Sequence, residues 1–238
     1  MKIQQYLLVL LEVLFPYMLN ADITEDIHFS HIGLEEGLSH STIFAINQDK
    51  GGNLWFATYD GVNKYDGYNF TVYRHQYTHP NSIASDISRC ITMDDSDRIW
   101  IGTREGLSLY NHYKDEFSNY YYKRNGLNVA VTSIIPIKKD WLMLGTAEGI
   151  LLFDVKKECF LSDTLSSSLH GLQPAALVRQ DDCIYIGTEE GVYIYTLSNG
   201  ILEKLVDMPA GIRLMPFCAR CLIEYGWLRR EMDFICTT

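Results

Sequence analysis

The sequence is poor in positive charge. Its 238 residues carry 20 Lys and Arg against 30 Asp and Glu, a formal net charge of −10. No basic stripe is available to displace counterions from a phosphate backbone, which argues against nucleic-acid contact. The six cysteines supply no disulfide framework. Cys90 and Cys183 sit in apolar strand patterns, where a small buried thiol is the ordinary explanation, and Cys159 opens a further strand. Cys218 and Cys221 have metal-like spacing, but no second Cys or His pair follows them. Histidine is scattered over His28, His31, His40, His75, His79, His112 and His170. His75 and His79 are four apart without a helical pattern to bring them onto one face. The glycine-bearing Asp49-Lys50-Gly51-Gly52-Asn53 lies between strand patterns, not at the strand-to-helix junction a phosphate cradle needs. Acidic pairs at Glu35-Glu36, Asp94-Asp95 and Glu189-Glu190 read as solvated loop charge. No catalytic set, metal site or cofactor is expected.

Long apolar runs are confined to the N-terminus. Lys2 precedes an apolar stretch from Tyr6 to Met18, and Leu19-Asn20-Ala21 ends in a small residue suited to cleavage. This predicts an export signal over residues 1–21, with a core helix as the alternative. Glu12 inside the run and Pro16 near its end speak against a stable membrane span. A periplasmic location is expected after removal of the signal.

What is abundant is self-similarity. WFATYDGVNKY (Trp55 to Tyr65) returns as WIGTREGLSLY (Trp100 to Tyr110), MLGTAEGILLF (Met143 to Phe153) and YIGTEEGVYIY (Tyr185 to Tyr195). The grammar is apolar or aromatic, any, small, Thr, any two, Gly, apolar, any two, aromatic. Its threonines, Thr58, Thr103, Thr146 and Thr188, are separated by 45, 43 and 42 residues. A strand-rich unit repeating at that period predicts an all-β fold of β-propeller blades, each a four-stranded antiparallel meander.

The expected units are a leader with a ring-closing strand near His28 to Ile32 (22–40), then blades over 41–83, 84–127, 128–170 and 171–211. These blades make an incomplete arc of about four. The second strands are expected over Leu54 to Thr58, Ile99 to Thr103, Trp141 to Thr146 and Cys183 to Thr188. Each repeated position has a physical role. The small residue before Thr (Ala57, Gly102, Gly145, Gly187) lets blades approach closely. Thr can hydrogen-bond the turn that follows it. Gly61, Gly106, Gly149 and Gly191 mark two-residue hairpins. Trp55, Trp100, Trp141 and Tyr185 supply apolar area between sheets, a reading preferred here over a sugar-stacking platform.

The stretch from Asp49 through Gly52-Asn53-Leu54-Trp55 to Asp66-Gly67 resembles the two-component regulator propeller repeat. The lead-in from Phe29 through Gly37-Leu38-Ser39 is similar to the opening of periplasmic sensors of hybrid two-component systems from gut Bacteroidetes. The third unit departs most, with its Trp displaced and its Asp/Gly turn missing. The resemblance implies a parent in which a signal peptide precedes two seven-bladed propellers, a β-sandwich domain and a membrane helix. A cytoplasmic histidine kinase follows, in a membrane-anchored and dimeric receptor. It further implies oligosaccharide sensing. No ligand-contacting residue is carried over, because those positions vary with the glycan. The kinase parts have no counterpart in this sequence. The open alternatives are a carbohydrate-active enzyme on a propeller and a protein-interaction scaffold.

The tail from Gly211 onward obeys neither the alternation nor the Thr-x-x-Gly turn, although a further blade is due. Joining the third base of each codon to the first two of the next forces Met215-Pro216 to Ala and Met232-Asp233 to Gly. The same operation restricts Glu224-Tyr225 to Val or Ile and Tyr225-Gly226 to Trp or Arg, and turns Trp227-Leu228 into Ala if Leu228 uses a CTN codon. Val or Ile, Trp, Ala and Gly at 224–233 then fall in the order of the repeat, so the expectation is a frame slip near Ile212 to Met215 in the 212–238 tail. A divergent helix is the alternative.

Overall fold

The computed structural model describes residues 31–161, 169 and 171–207. The expected signal peptide, the leader up to residue 30, the end of the fourth blade and the tail with Cys218 and Cys221 lie outside the described residues. Of the expected strand from His28 to Ile32, only His31 and Ile32 are described, and neither is in a strand. The compact unit considered below begins at Gly33.

Four antiparallel sheets follow one another, each a meander in which sequential strands pair. The first contains β1 (Ile43–Gln48), β2 (Leu54–Thr58), β3 (Val62–Tyr65) and β4 (Phe70–Tyr73). The second contains β5 (Ser88–Met93), β6 (Ile99–Thr103), β7 (Leu107–Asn111) and β8 (Glu116–Tyr120). A small hairpin, β9 (Lys123–Arg124) with β10 (Leu127–Asn128), precedes the third sheet. That sheet contains β11 (Val131–Lys138), β12 (Trp141–Thr146), β13 (Gly149–Asp154) and β14 (Cys159–Leu161). The fourth contains β15 (Pro174–Gln180), β16 (Cys183–Thr188), β17 (Gly191–Thr196) and β18 (Leu202–Asp207). The expected all-β, propeller-blade fold is what the chain adopts.

The Thr-x-x-Gly turn is built the same way four times. Thr58, Thr103, Thr146 and Thr188 each donate their hydroxyl to the carbonyl of the Gly three residues on, at 2.9, 3.0, 2.7 and 2.9 Å. Each hydroxyl also accepts the amide two residues on, from Asp60, Glu105, Glu148 and Glu190. The four threonines are essentially buried, so the hairpin's inward polar groups are satisfied by the residue that creates the need for them. Gly61 at φ 91° and Gly149 at φ 128° occupy backbone space that a side chain rarely enters.

Between the first and second strands, blades one and two use a turn carboxylate, Asp49 and Asp94 respectively, to hold the Trp that follows. Asp49 accepts the Asn53 amide at 2.9 Å and the Trp55 indole N–H at 2.8 Å. Asp94 accepts the Ser96 and Arg98 amides at 2.9 and 3.1 Å and the Trp100 indole at 2.8 Å. Asp94 is buried, not a solvated loop charge. Each Trp is thereby fixed edge-on while its rings pack against the next sheet.

Packing runs from sheet to sheet. Trp55, Ala57 and Val62 meet Ile91, Ile99, Ile101 and Phe117 of the second sheet. Trp100 and Leu107 meet Val131, Leu142, Leu144 and Phe153 of the third. Ile135, Met143 and Leu152 meet Leu177, Ile184 and Ile186 of the fourth. Trp55 stands edge to face with Tyr110 at 4.7 Å, and Trp100 with Phe153 at 5.6 Å. The displaced Trp141 packs on the third cluster, on the same side as Met143. The small residue before Thr does allow close approach: a methyl on Gly102 would meet the Cys90 sulfur and lie 2.8 Å from the Val131 carbonyl of the next sheet. A methyl on Gly145 would meet Ser133 Oγ and lie 3.2 Å from Pro174 Cγ.

Replacing Thr103 by Val keeps the shape but removes the acceptor of the Glu105 and Gly106 amides, and leaves the Gly106 carbonyl only its bond from the Thr103 amide. The expected cost is about 1–3 kcal/mol, read as a lowered urea midpoint, with Thr103→Ser close to wild type.

Asp49 titrates below the usual carboxylate range. Burial pushes it up, but the bonds from Trp55 and Asn53 and the nearby Lys64 outweigh that. A carboxyl depressed in the folded state stabilises fully above its unfolded value of about 3.9 and loses this contribution as pH falls through the folded value. The urea midpoint should therefore drop below about pH 4. Asp49→Asn should lower stability at pH 7 and flatten that acid limb; an equally steep limb contradicts the assignment.

Candidate functional site

In the first two sheets the Thr-x-x-Gly hairpin shares one end with a crossing segment, the one that enters its own sheet or the one that leaves for the next. Tyr59 N bonds Thr42 O at 3.3 Å, Arg104 N bonds Ile87 O at 2.9 Å, and Gly61 N bonds Asp86 O at 2.6 Å. The crossing is clasped by the second residue of the third strand. Asn63 accepts the Ser39 amide at 2.9 Å and donates to its hydroxyl at 2.7 Å. Ser108 at the same register accepts the Ala84 amide at 3.2 Å and donates to Asn119 at 2.7 Å, which donates in turn to Ser82 O. Leu38 and Ile83 are buried beneath these clasps. Side chains exposed at this end therefore sit on a backbone tied from two sides.

Those side chains are aromatic and basic. The Arg89 guanidinium lies over the Phe44 ring at 4.5 Å. Tyr59, 49% exposed, is 6.4 Å from Phe44 and 5.6 Å from the His40 ring. Asp60 and Arg74 pair at 2.9 Å beside them, and the bond from Arg74 holds the Asp60 carboxyl below its ordinary range despite opposing burial.

Two concave regions complete the surface. A groove of about 360 Å³ runs along the innermost strands past Thr92, Asp95, Pro136 and Arg179. Arg179 donates to Pro136 O at 2.6 Å across it. A cleft of about 210 Å³ lies between the outer strands of the first two sheets, near Tyr73 and Asp115. Both the Tyr73 and Tyr110 hydroxyls donate to Asp115 Oδ1 at 2.6 Å. Burial and this carboxylate push Tyr110 up to about 12 and Tyr73 further still, while the two hydroxyls hold Asp115 low. These groups neither take up nor release a proton near neutrality. Burial likewise pushes the Cys90 thiol up to about 12, far from a reactive thiolate. Among the described residues no group of three His, Cys, Asp or Glu is placed to hold a metal ion.

The repeat positions do not line these surfaces. Trp55, Trp100, Thr58, Thr103, Thr146, Thr188 and Tyr185 are buried, and Trp141 is half-buried. Gly61, Gly106, Gly149 and Gly191 accept the threonine bonds at the hairpins. Phe44, Tyr59 and Arg89 went unnoticed in the sequence because a simple alternation from Ile43 to Ile46 hides the bulge that places Phe44 outside it.

The two-component regulator propeller family matches residues 37–60, the span from the lead-in turn through the first Thr hairpin. The chain carries a two-component regulator propeller repeat. Its described sheets resemble the extracellular domain of the hybrid two-component system BT3049 from B. thetaiotaomicron. That match has 30% identity and a TM-score of 0.62, over 74% of this chain and 26% of that one. The extracellular domain of the one-component system BT4673 from the same organism shares the fold at 24% identity and a TM-score of 0.57, over 74% and 23%. Histidine kinase P4 of Formosa agariphila is 47% identical over 49 residues, 21% of this chain and 4% of the kinase. The propeller-repeat chain thus spans about a quarter of those extracellular domains and a small fraction of the kinase. No helix among its described residues is long and apolar enough to cross a membrane.

Proposed function

We propose that this chain is ligand-sensing propeller structure from the periplasmic side of a hybrid two-component regulator, and that its ligand is a glycan-derived oligosaccharide bound without being altered. The observation that carries the reading is the match to the BT3049 extracellular domain over three quarters of the chain at 30% identity. The geometry is consistent with binding. Rigidly clasped strand ends present exposed aromatic rings and polar side chains, the makeup of a preorganised recognition surface.

Export by residues 1–21, membrane anchoring of the parent and its dimerisation belong to the same proposal. In it, the propeller supplies differential affinity for a ligand, and a kinase elsewhere in the parent reads the resulting shift. Isothermal titration of the chain with a panel of plant, host and algal oligosaccharides, followed by chromatography of the recovered sugars, tests the reading. Saturable heat with chemically unchanged sugar is expected. Cleaved or rearranged sugar makes the protein an enzyme, and absence of heat from every saccharide removes the ligand class.

A further inference from the structure

The first strand of every described sheet is interrupted at one register. Pairing skips a residue between Ile43 and Ala45, between Ser88 and Cys90, between Val131 and Ser133, and between Pro174 and Ala176. The extra residues are Phe44, Arg89, Thr132 and Ala175. A bulge takes one side chain out of the strand's alternation and aims it elsewhere. Here the backbone feature recurs while the residue type does not, the reverse of the Thr and Gly positions nearby. Phe44, Arg89 and Thr132 are exposed, and Ala175 is half-buried. Arg89 and Thr132 belong to sheets packed on both sides by other sheets. Their exposure therefore does not come from an unpaired end of the arc. The fold keeps this position free to differ.

On the side of the first two blades the bulge residues meet. The Arg89 guanidinium lies over the Phe44 ring, 4.5 Å from its centroid, with Tyr59 and His40 continuing the aromatic surface. Arg89 makes no ion pair or side-chain hydrogen bond among the described residues, in a chain of net charge −10. A guanidinium seated over a ring and without another partner keeps its N–H donors for a planar or tetrahedral anion. Exposed rings beside it offer apolar faces to the C–H face of a pyranose.

We propose that the bulge residues form the surface that reads the ligand, and that this sector takes an acidic sugar, its carboxylate or sulfate on Arg89 and its ring against Phe44 and Tyr59. This rests on the oligosaccharide reading above and names its chemical class.

The test is titration of the full chain with trigalacturonate, with its methyl ester, with a sulfated carrageenan oligosaccharide and with neutral xylotriose. An acidic sugar should bind, the ester and xylotriose at least about tenfold more weakly, and the carboxylated and sulfated ligands identify which anion is preferred. Arg89→Gln should weaken acidic binding at least about tenfold with an unchanged melting temperature, and Arg89→Lys should restore part of it. Equal affinity for acid and ester, or an unchanged Kd in Arg89→Gln, overturns the Arg89 assignment while leaving oligosaccharide sensing intact. Absence of binding by all four removes both.

Discussion

The structure depends on one buried hydroxyl per blade. A two-residue hairpin between the second and third strands points a carbonyl and an amide inward, where the next sheet excludes water. The repeat threonine serves both, donating to the Gly carbonyl and accepting from the turn amide. Because the hairpin is then satisfied internally, its inner face can be covered with apolar side chains and the next sheet can pack on it. The residue before Thr must be small for the same reason, as Gly102 and Gly145 show by their contacts with Val131 and Pro174. Hairpin closure, sheet approach and the period of the repeat are thus consequences of one constraint.

That constraint leaves freedom elsewhere. The aromatic anchor varies from Trp55 and Trp100, tied by Asp49 and Asp94, to Met143 and Tyr185, which follow shorter turns. The crossing segments differ in length and sequence, yet Asn63 and Ser108 hold them at the same register. Variation is concentrated at the hairpin end and at the bulges, where side chains reach solvent on a backbone that is hydrogen-bonded from two sides. A scaffold of this kind alters what it binds without altering how it folds.

Much of this was legible in the sequence. The second strand of every blade, Leu54–Thr58, Ile99–Thr103, Trp141–Thr146 and Cys183–Thr188, has the bounds the repeat implies, because Thr and the hairpin Gly mark its end unambiguously. The first strands are less legible: alternation marks only Ile43 to Ile46 and Ala176 to Arg179, whereas the strands run over Ile43–Gln48 and Pro174–Gln180. Their pairing is decided by the neighbouring strand and not by local alternation, and the bulge breaks that alternation. The Asn125-Gly126 pair, both residues at positive φ, closes the β9–β10 hairpin that such a pair signals. The Asp to Trp bond was overlooked because a carboxylate next to Asp95 looks like solvated charge until the indole six residues on is placed beside it. The proposed ligand surface has no repeated residue type to announce it.

In the proposal above, recognition occurs at the hairpin and bulge end of the blades, on strands held rigid by the threonine clasp. Hydrogen–deuterium exchange of the chain with and without a bound oligosaccharide tests this most directly. Added protection is predicted in residues 40–44, 59–61 and 88–90, with the outer strands Phe70–Tyr73 and Glu116–Tyr120 unchanged. Protection confined to those outer strands or to the Asp49 and Asp94 turns at the opposite end would contradict it.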